Sequence, residues 1–229
     1  MKIRAEKTLL IVCLFVFFAG CVSSNSKISL QDPQQSDPAE KYYYDSVKDL
    51  KNNYKGGPVD IDFTKLRYGY FLAEQKNNAL YVDNSLEKKL GEVFANQNWE
   101  EVIKTADKIL ACNFTRIRAH VLKSFAYHKL GKESELNTWM LGGLMESIVS
   151  SGDGKSFDTA FHVYRVEEEY DVLKYLQLYP SGQSLLEHNG DMFDYLECKN
   201  SDNEQFGVYF NITEHFASLR SRLEKRAGQ

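Results

Sequence analysis

From residue 41 to about 151, apolar positions recur every three or four residues. The pattern is broken only by short polar stretches at Gly56-Gly57-Pro58, Asn77-Asn78, Asn96-Gln97-Asn98, Asn113 and Gly131. That period places apolar side chains on one helix face, so the stretch reads as helices joined by short loops that pack antiparallel. Asp62 stands where an N-cap is needed, ahead of a face made by Phe63, Leu66, Tyr70 and Ala73. The sharpest pattern lies in the middle: Trp99, Val102, Ile103, Ala106, Ile109 and Leu110, followed by Ala119, Leu122, Phe125, Ala126 and Leu130 before Gly131. Two such helices make one hairpin. A lone hairpin cannot bury both of its faces, so helices over 85–95 and 133–150 are expected to cap it.

Near Gly152 the period changes. Residues 159–166 alternate like a strand, 167–176 read as a short helix opened by Glu167, Glu168 and Glu169, and strands are expected over 183–188, 191–198 and 206–212. Asn189-Gly190 signals a type I′ hairpin, because both residues tolerate positive φ. Residues 200–205 form the next turn, and a helix over 213–226 follows with Thr213 as its cap. The expected fold class is α+β: an N-terminal helical part containing the hairpin, then a small antiparallel β meander and a C-terminal helix.

The first forty residues follow other rules. Residues 1–7 are positively charged, 8–18 form an almost unbroken apolar run, and Ala19-Gly20 precede Cys21. These are the three parts of an export signal in order. The run has about 11 residues where crossing a bilayer takes ~20, so it reads as cleavable. Residues 22–40, rich in Ser, Gln and Asp with Pro33 and Pro38, show no period and read as a flexible tether of roughly 20–30 Å. The expected division is a signal over 1–20, a tether over 21–40, a helical part over 41–151 and a small α+β part over 152–229.

Four resemblances sharpen this. Phe18-Ala19-Gly20-Cys21 resembles the bacterial lipobox, although Leu is commoner than Phe at its first position. The resemblance implies diacylglycerol on the Cys21 sulfur, and Val22-Ser23-Ser24, with no Asp after the cysteine, implies the outer membrane and its periplasmic face. Residues 98–132 resemble a tetratricopeptide repeat, with an aromatic entry at Trp99 and Gly131 at the end. Asp62-Phe63-Thr64-Lys65-Leu66-Arg67-Tyr68, Ser151-Gly152-Asp153-Gly154-Lys155-Ser156, Glu168-Glu169-Tyr170-Asp171-Val172-Leu173, Gln183-Ser184-Leu185 and Val208-Tyr209-Phe210-Asn211-Ile212 resemble an uncharacterised Bacteroidetes-type lipoprotein family, a domain of unknown function. That last likeness spans roughly 60–215. It implies an envelope protein and lends no catalytic residue. Asp45-Ser46-Val47 and Asp158-Thr159-Ala160 resemble the short O-glycosylation signal of that bacterial group, which makes Ser46, in chain expected to be exposed, and Thr159 the candidates.

Composition narrows the function classes. Hydrophobic residues make up 43% and aromatic residues 13%, enough apolar surface to offset the entropy of ordering. The net charge is −4, and losing residues 1–20, where Lys2, Arg4 and Lys7 oppose Glu6, leaves about −6. This excludes nucleic acid as the expected partner. Arg220, Arg222, Lys225 and Arg226 read as a solvated helix end. With Cys13 in the signal and Cys21 as the lipid site, only Cys112 and Cys198 remain. A disulfide between them and two buried free thiols are both open.

Candidate chemistry is sparse. Gly154-Lys155-Ser156 invites a phosphate loop, but Val149 stands where the motif needs its first Gly, so no nucleotide is expected. His162 with Glu167, Glu168, Glu169 and Asp153 has no metal-ligand spacing, and the acidic trio reads as the start of a helix. Ser147, Ser150 or Ser151 with His162 or His188 lacks the Gly-x-Ser-x-Gly turn of a hydrolase. No cofactor is expected. The favoured expectation is a membrane-tethered, non-enzymatic module that binds a protein or peptide. The alternative is an envelope hydrolase with a site between the halves, built from Asp153, His162 or Glu168.

Overall fold

The computed structural model describes residues 37–56 and 59–227. The expected signal, Cys21 and most of the tether lie outside the described residues. Helix α1 spans Pro38–Asn53 and starts three residues before the expected boundary. Asp37 accepts the Ala39 N–H at 2.8 Å, and Pro38 occupies a first-turn position where its missing N–H costs nothing, so this proline opens a helix instead of extending a tether. Helix α2, Phe63–Lys76, begins as expected at Asp62, whose Oδ1 accepts the Lys65 N–H at 2.9 Å. The first two helices approach backbone to backbone at Gly69, where a Cβ would stand 2.1 Å from the Ala39 carbonyl oxygen.

A 3-10 turn at Asn78–Leu80 leads into α3 (Asn84–Ala95), α4 (Trp99–Cys112), α5 (Ile117–Lys129) and α6 (Glu135–Val149). Helices α4 and α5 form the hairpin, α3 and α6 flank it, and α6 returns to α2. Gly143 permits that return, since a Cβ there would meet the Phe63 ring at 2.1 Å. Leu66, Leu90, Val102, Ile109, Leu144 and Ile148 are all buried at this centre. Each stabilises the fold by about 1.5–3 kcal/mol relative to exposure.

The C-terminal part is a four-stranded sheet of order β1-β4-β3-β2: β1 (Phe161–His162), β2 (Tyr179–His188), β3 (Asp191–Lys199) and β4 (Gln205–Asn211). Strands β2, β3 and β4 form the expected antiparallel meander, and β1 adds a parallel edge to β4. Asn189 and Gly190 have φ of 54° and 90°, the I′ signature. The strand expected over 159–166 shrinks to two residues. The Asp153 and Gly154 amides donate to the Thr159 carbonyl, and Tyr164 N–H donates to Glu168, so the chain curls on both sides of Phe161–His162. Helix α7 (Val166–Tyr175) sits between the helical part and the sheet, and α8 (Thr213–Ala227) closes the chain. Thr213 is not a cap: its hydroxyl accepts the Met192 N–H, and Asn211 Oδ1 accepts the Thr213 N–H.

His120 on α5 is fully buried, with Nε2 2.9 Å from the Phe114 carbonyl and Nδ1 3.0 Å from the Asn137 side chain. Burial lowers its pKa to about 4, so the ring is neutral. Both ring nitrogens face oxygens, the Phe114 carbonyl and Asn137 Oδ1, and the neutral ring donates to one of them, while the Asn137 amide nitrogen donates to Ser134 Oγ at 2.7 Å. Because the folded ring binds its proton less readily than the unfolded one, this group's stability is complete above pH 6.5 and is lost as pH falls toward 4. His120→Gln, measured by urea unfolding at pH 7, 5.5 and 4, is expected to remove an acid loss of about 3 kcal/mol from the parent's profile. Parallel profiles for the two proteins would contradict the assignment.

Candidate functional site

Helix α7 collects more buried charge than any other described element, and its carboxylates have separate partners. Glu168 forms a two-pronged pair with Arg67 of α2, with Nε–Oε1 and Nη2–Oε2 both at 2.8 Å. Arg67 is 2% exposed and also donates to the Ser147 carbonyl and hydroxyl at 3.3 Å and to the His162 carbonyl at 3.0 Å. Its guanidinium lies 5.1 Å from the Tyr164 ring centre. Burial alone would raise the Glu168 pKa, but the Arg67 charge and its hydrogen bonds outweigh it and hold the carboxylate below its usual range.

Glu167 pairs with Arg165, which also pairs with Glu74 of α2. Asp171 lies 3.8 Å from Arg116, and Arg116 reaches Glu87 of α3 at 2.6 Å. Burial raises the Asp171 pKa to about 6 against the pull of Arg116. Glu169 differs from all of these. It is 0% exposed and neither of its oxygens meets a donor. Asp194 of β3 stands beside it, itself buried and accepting from Gln183 Nε2 at 2.9 Å. Burial, then the Asp194 charge, pushes the Glu169 pKa to about 9. The protonated Glu169 carboxyl supplies the donor that Asp194 otherwise lacks on that side.

The sequence candidates are spread along this junction without forming a catalytic constellation. Asp153 lies at the surface with the Lys155 ammonium at 3.0 Å, and hydrogen bonds from Thr159 and Lys155 lower its pKa to about 2. The Lys155 N–H donates to the Asp153 carboxylate, so an own-chain oxygen already occupies one amide of the Gly154-Lys155-Ser156 turn. His162 directs Nε2 to Glu214 of α8 at 2.9 Å. Ser147 and Ser151 donate to the Leu144 and Ile148 carbonyls, so neither hydroxyl is turned toward a histidine ring. His188 stacks on Phe157 at 4.3 Å. Among the described residues there is no group of three or more metal-ligating side chains. Cys112 and Cys198 are both free thiols.

Ser46, expected in exposed chain, is instead 7% exposed on α1. Thr159 is exposed in the turn before β1. Arg67 and Asp194 were missed as site residues, yet both carried a signal. Arg67 shares the apolar face of Leu66 and Tyr70, and Asp194 falls in the apolar alternation of Leu196 and Cys198. A charge at such a position has to be paired or neutralised.

On the helical part a different feature reaches solvent. Phe94 of α3, Trp99 of α4 and Phe125 of α5 form a triangle with ring centres 5.3–5.8 Å apart. Phe125 is 41% exposed, Val121 one turn away is 38% exposed, and Lys129 Nζ lies 5.1 Å from the Phe125 ring.

The Glu169 proton has a measurable consequence. Its folded pKa is raised, so its contribution is complete below the unfolded value of 4.5 and falls as pH rises toward 9. Glu169→Gln is expected to gain stability over the parent with rising pH, by about 1 kcal/mol per unit between pH 5 and 8 in denaturant melts. A pH-independent difference would rule out the buried proton.

No curated protein and no solved structure matches the chain. A family model does, over residues 33–220, which takes in every element from α1 to the first half of α8. The chain therefore belongs to the family described as a domain of unknown function (DUF4919).

Proposed function

We propose that this is a lipid-anchored bacterial envelope protein whose helical part is a non-enzymatic binding module for a protein or peptide partner. The observation that carries the reading is the Phe94, Trp99 and Phe125 triangle on the central hairpin, an aromatic anchor that is only partly covered by its own chain. Half-exposed aromatic rings beside a flexible cation, Lys129, are the surface chemistry that captures an apolar side chain within a peptide. The anchor rests on the charged start, the short apolar run and Cys21 in the sequence, and two or three acyl chains hold a protein at a membrane where one binds marginally. The hydrolase alternative has less support, since Glu168 is committed to Arg67, and Asp153 and His162 have separate partners.

A photo-crosslinking side chain at position 125, introduced in the native host, is expected to yield one dominant adduct. Trp99→Ala is expected to cut that adduct about tenfold while leaving the amount of folded protein unchanged. Cys21→Ser is expected to release the chain from the membrane fraction. Diffuse crosslinking indifferent to Trp99→Ala would refute the binding surface. Membrane fractionation indifferent to Cys21→Ser would refute the anchor.

A further inference from the structure

Strand β2 lies at one edge of the sheet and is ten residues long. Its register dictates which backbone groups that edge presents. The Asn189-Gly190 turn is closed by His188 opposite Asp191, and in a two-residue hairpin the closing pair exchanges both hydrogen bonds. Alternation then makes Leu186 with Phe193 and Ser184 with Tyr195 hydrogen-bonded pairs, and Glu187 with Met192, Leu185 with Asp194 and Gln183 with Leu196 non-bonded ones. The N–H and C=O of Gln183, Leu185 and Glu187 therefore point away from β3. These three residues make no backbone bonds to loops or other elements of the described chain. A row of alternating donors and acceptors about 14 Å long is matched by one kind of partner, an extended strand.

Protection of this edge is confined to its ends. Pro180 and a register shift between Pro180 and Gly182 guard the start, and Glu187 is the only charged side chain from 183 to 187. The open centre, Gln183-Ser184-Leu185-Leu186-Glu187, is complementary to itself. Turned about a two-fold axis through Leu185, it sets Leu185 opposite Leu185, Gln183 opposite Glu187 and Ser184 opposite Leu186. No like charges meet. The Gln183 amide, with one N–H on Asp194, keeps a second for the facing Glu187 carboxylate. Leu185 is 41% exposed in the single chain, and this pairing covers it.

We infer that β2 is a self-association edge, at which two copies of the chain pair their β2 strands antiparallel about Leu185 to make one eight-stranded sheet. Six backbone hydrogen bonds form, two at each of the three facing positions. The pairing is isologous, so it closes at two copies and does not propagate. It stands independently of the aromatic surface and of the lipid anchor.

Sedimentation of the purified chain across the micromolar range is expected to show a reversible rise from one to two copies. Leu185→Pro removes an outward N–H and leaves the ladder to β3 intact, so it is expected to weaken the dimer at least about tenfold with unfolding unchanged. Leu185→Lys, which places like charges across the axis without touching the backbone, is expected to do the same. This second variant separates lost pairing from lost fold. L185C is expected to crosslink two copies on mild oxidation, because facing hydrogen-bonded residues lie within disulfide reach, whereas S184C is not. A single copy at every concentration, a dimer unaffected by both Leu185 variants, or an edge that binds an unrelated extended peptide while the chain stays monomeric would each overturn the inference.

Discussion

The guanidinium of Arg67 holds the two parts of the structure in one arrangement. It gives two bonds to Glu168 of α7 and others to Ser147 of α6 and to the backbone of β1, so one side chain ties three helices and the sheet edge together. Arginine suits this place because its planar fork of fixed donors matches a carboxylate and neighbouring carbonyls at once. The pair contributes little net stability over an apolar substitute of the same shape, since both charges were stripped of water. It constrains geometry instead. Removing one partner leaves the other buried and uncompensated, at a cost of about 3–5 kcal/mol.

Around that pair, α7 shows how position sets the chemistry of identical groups. Glu168 is ionised because Arg67 faces it, and Glu169, one residue on and turned toward β3, is protonated because no donor or cation does. The run of three acids owes its place less to the helix dipole than to having three different neighbours: Arg165, Arg67 and Asp194. The junction is consequently sealed with charge and a proton. The aromatic triangle of the hairpin and the outer edge of β2 lie away from this junction.

Much of this was legible in the sequence. The hairpin, its flanking helices, the Asn189-Gly190 turn and the α+β class follow from apolar period and turn chemistry, which act locally. The failures were of two kinds. Period alone places Pro38 in the tether, where Asp37 makes it a helix start, and reads 159–166 as a full strand, where the Asp153 and Gly154 amides on Thr159 and the Glu168 carboxylate on Tyr164 bend it. Both depend on hydrogen bonds rather than period. The charge junction was half visible: Arg67 on an apolar helix face and Asp194 in an apolar alternation announce burial, but only three dimensions supply Glu168 and Glu169 as their partners. Ser46 carries no apolar signal of its own, and its place on the helix face of Tyr43 and Leu50 is what buries it.

If Arg67 and Glu168 couple the helical part to the sheet, the two should open together. Native-state hydrogen exchange on Arg67→Met is the direct measurement. The account predicts that slow amides in α4, α5, β3 and β4 share one opening free energy in the parent and separate into two values, one for the helices and one for the strands, in the variant. Helix and strand amides that still open together in Arg67→Met would show that the buried pair is not what joins the parts.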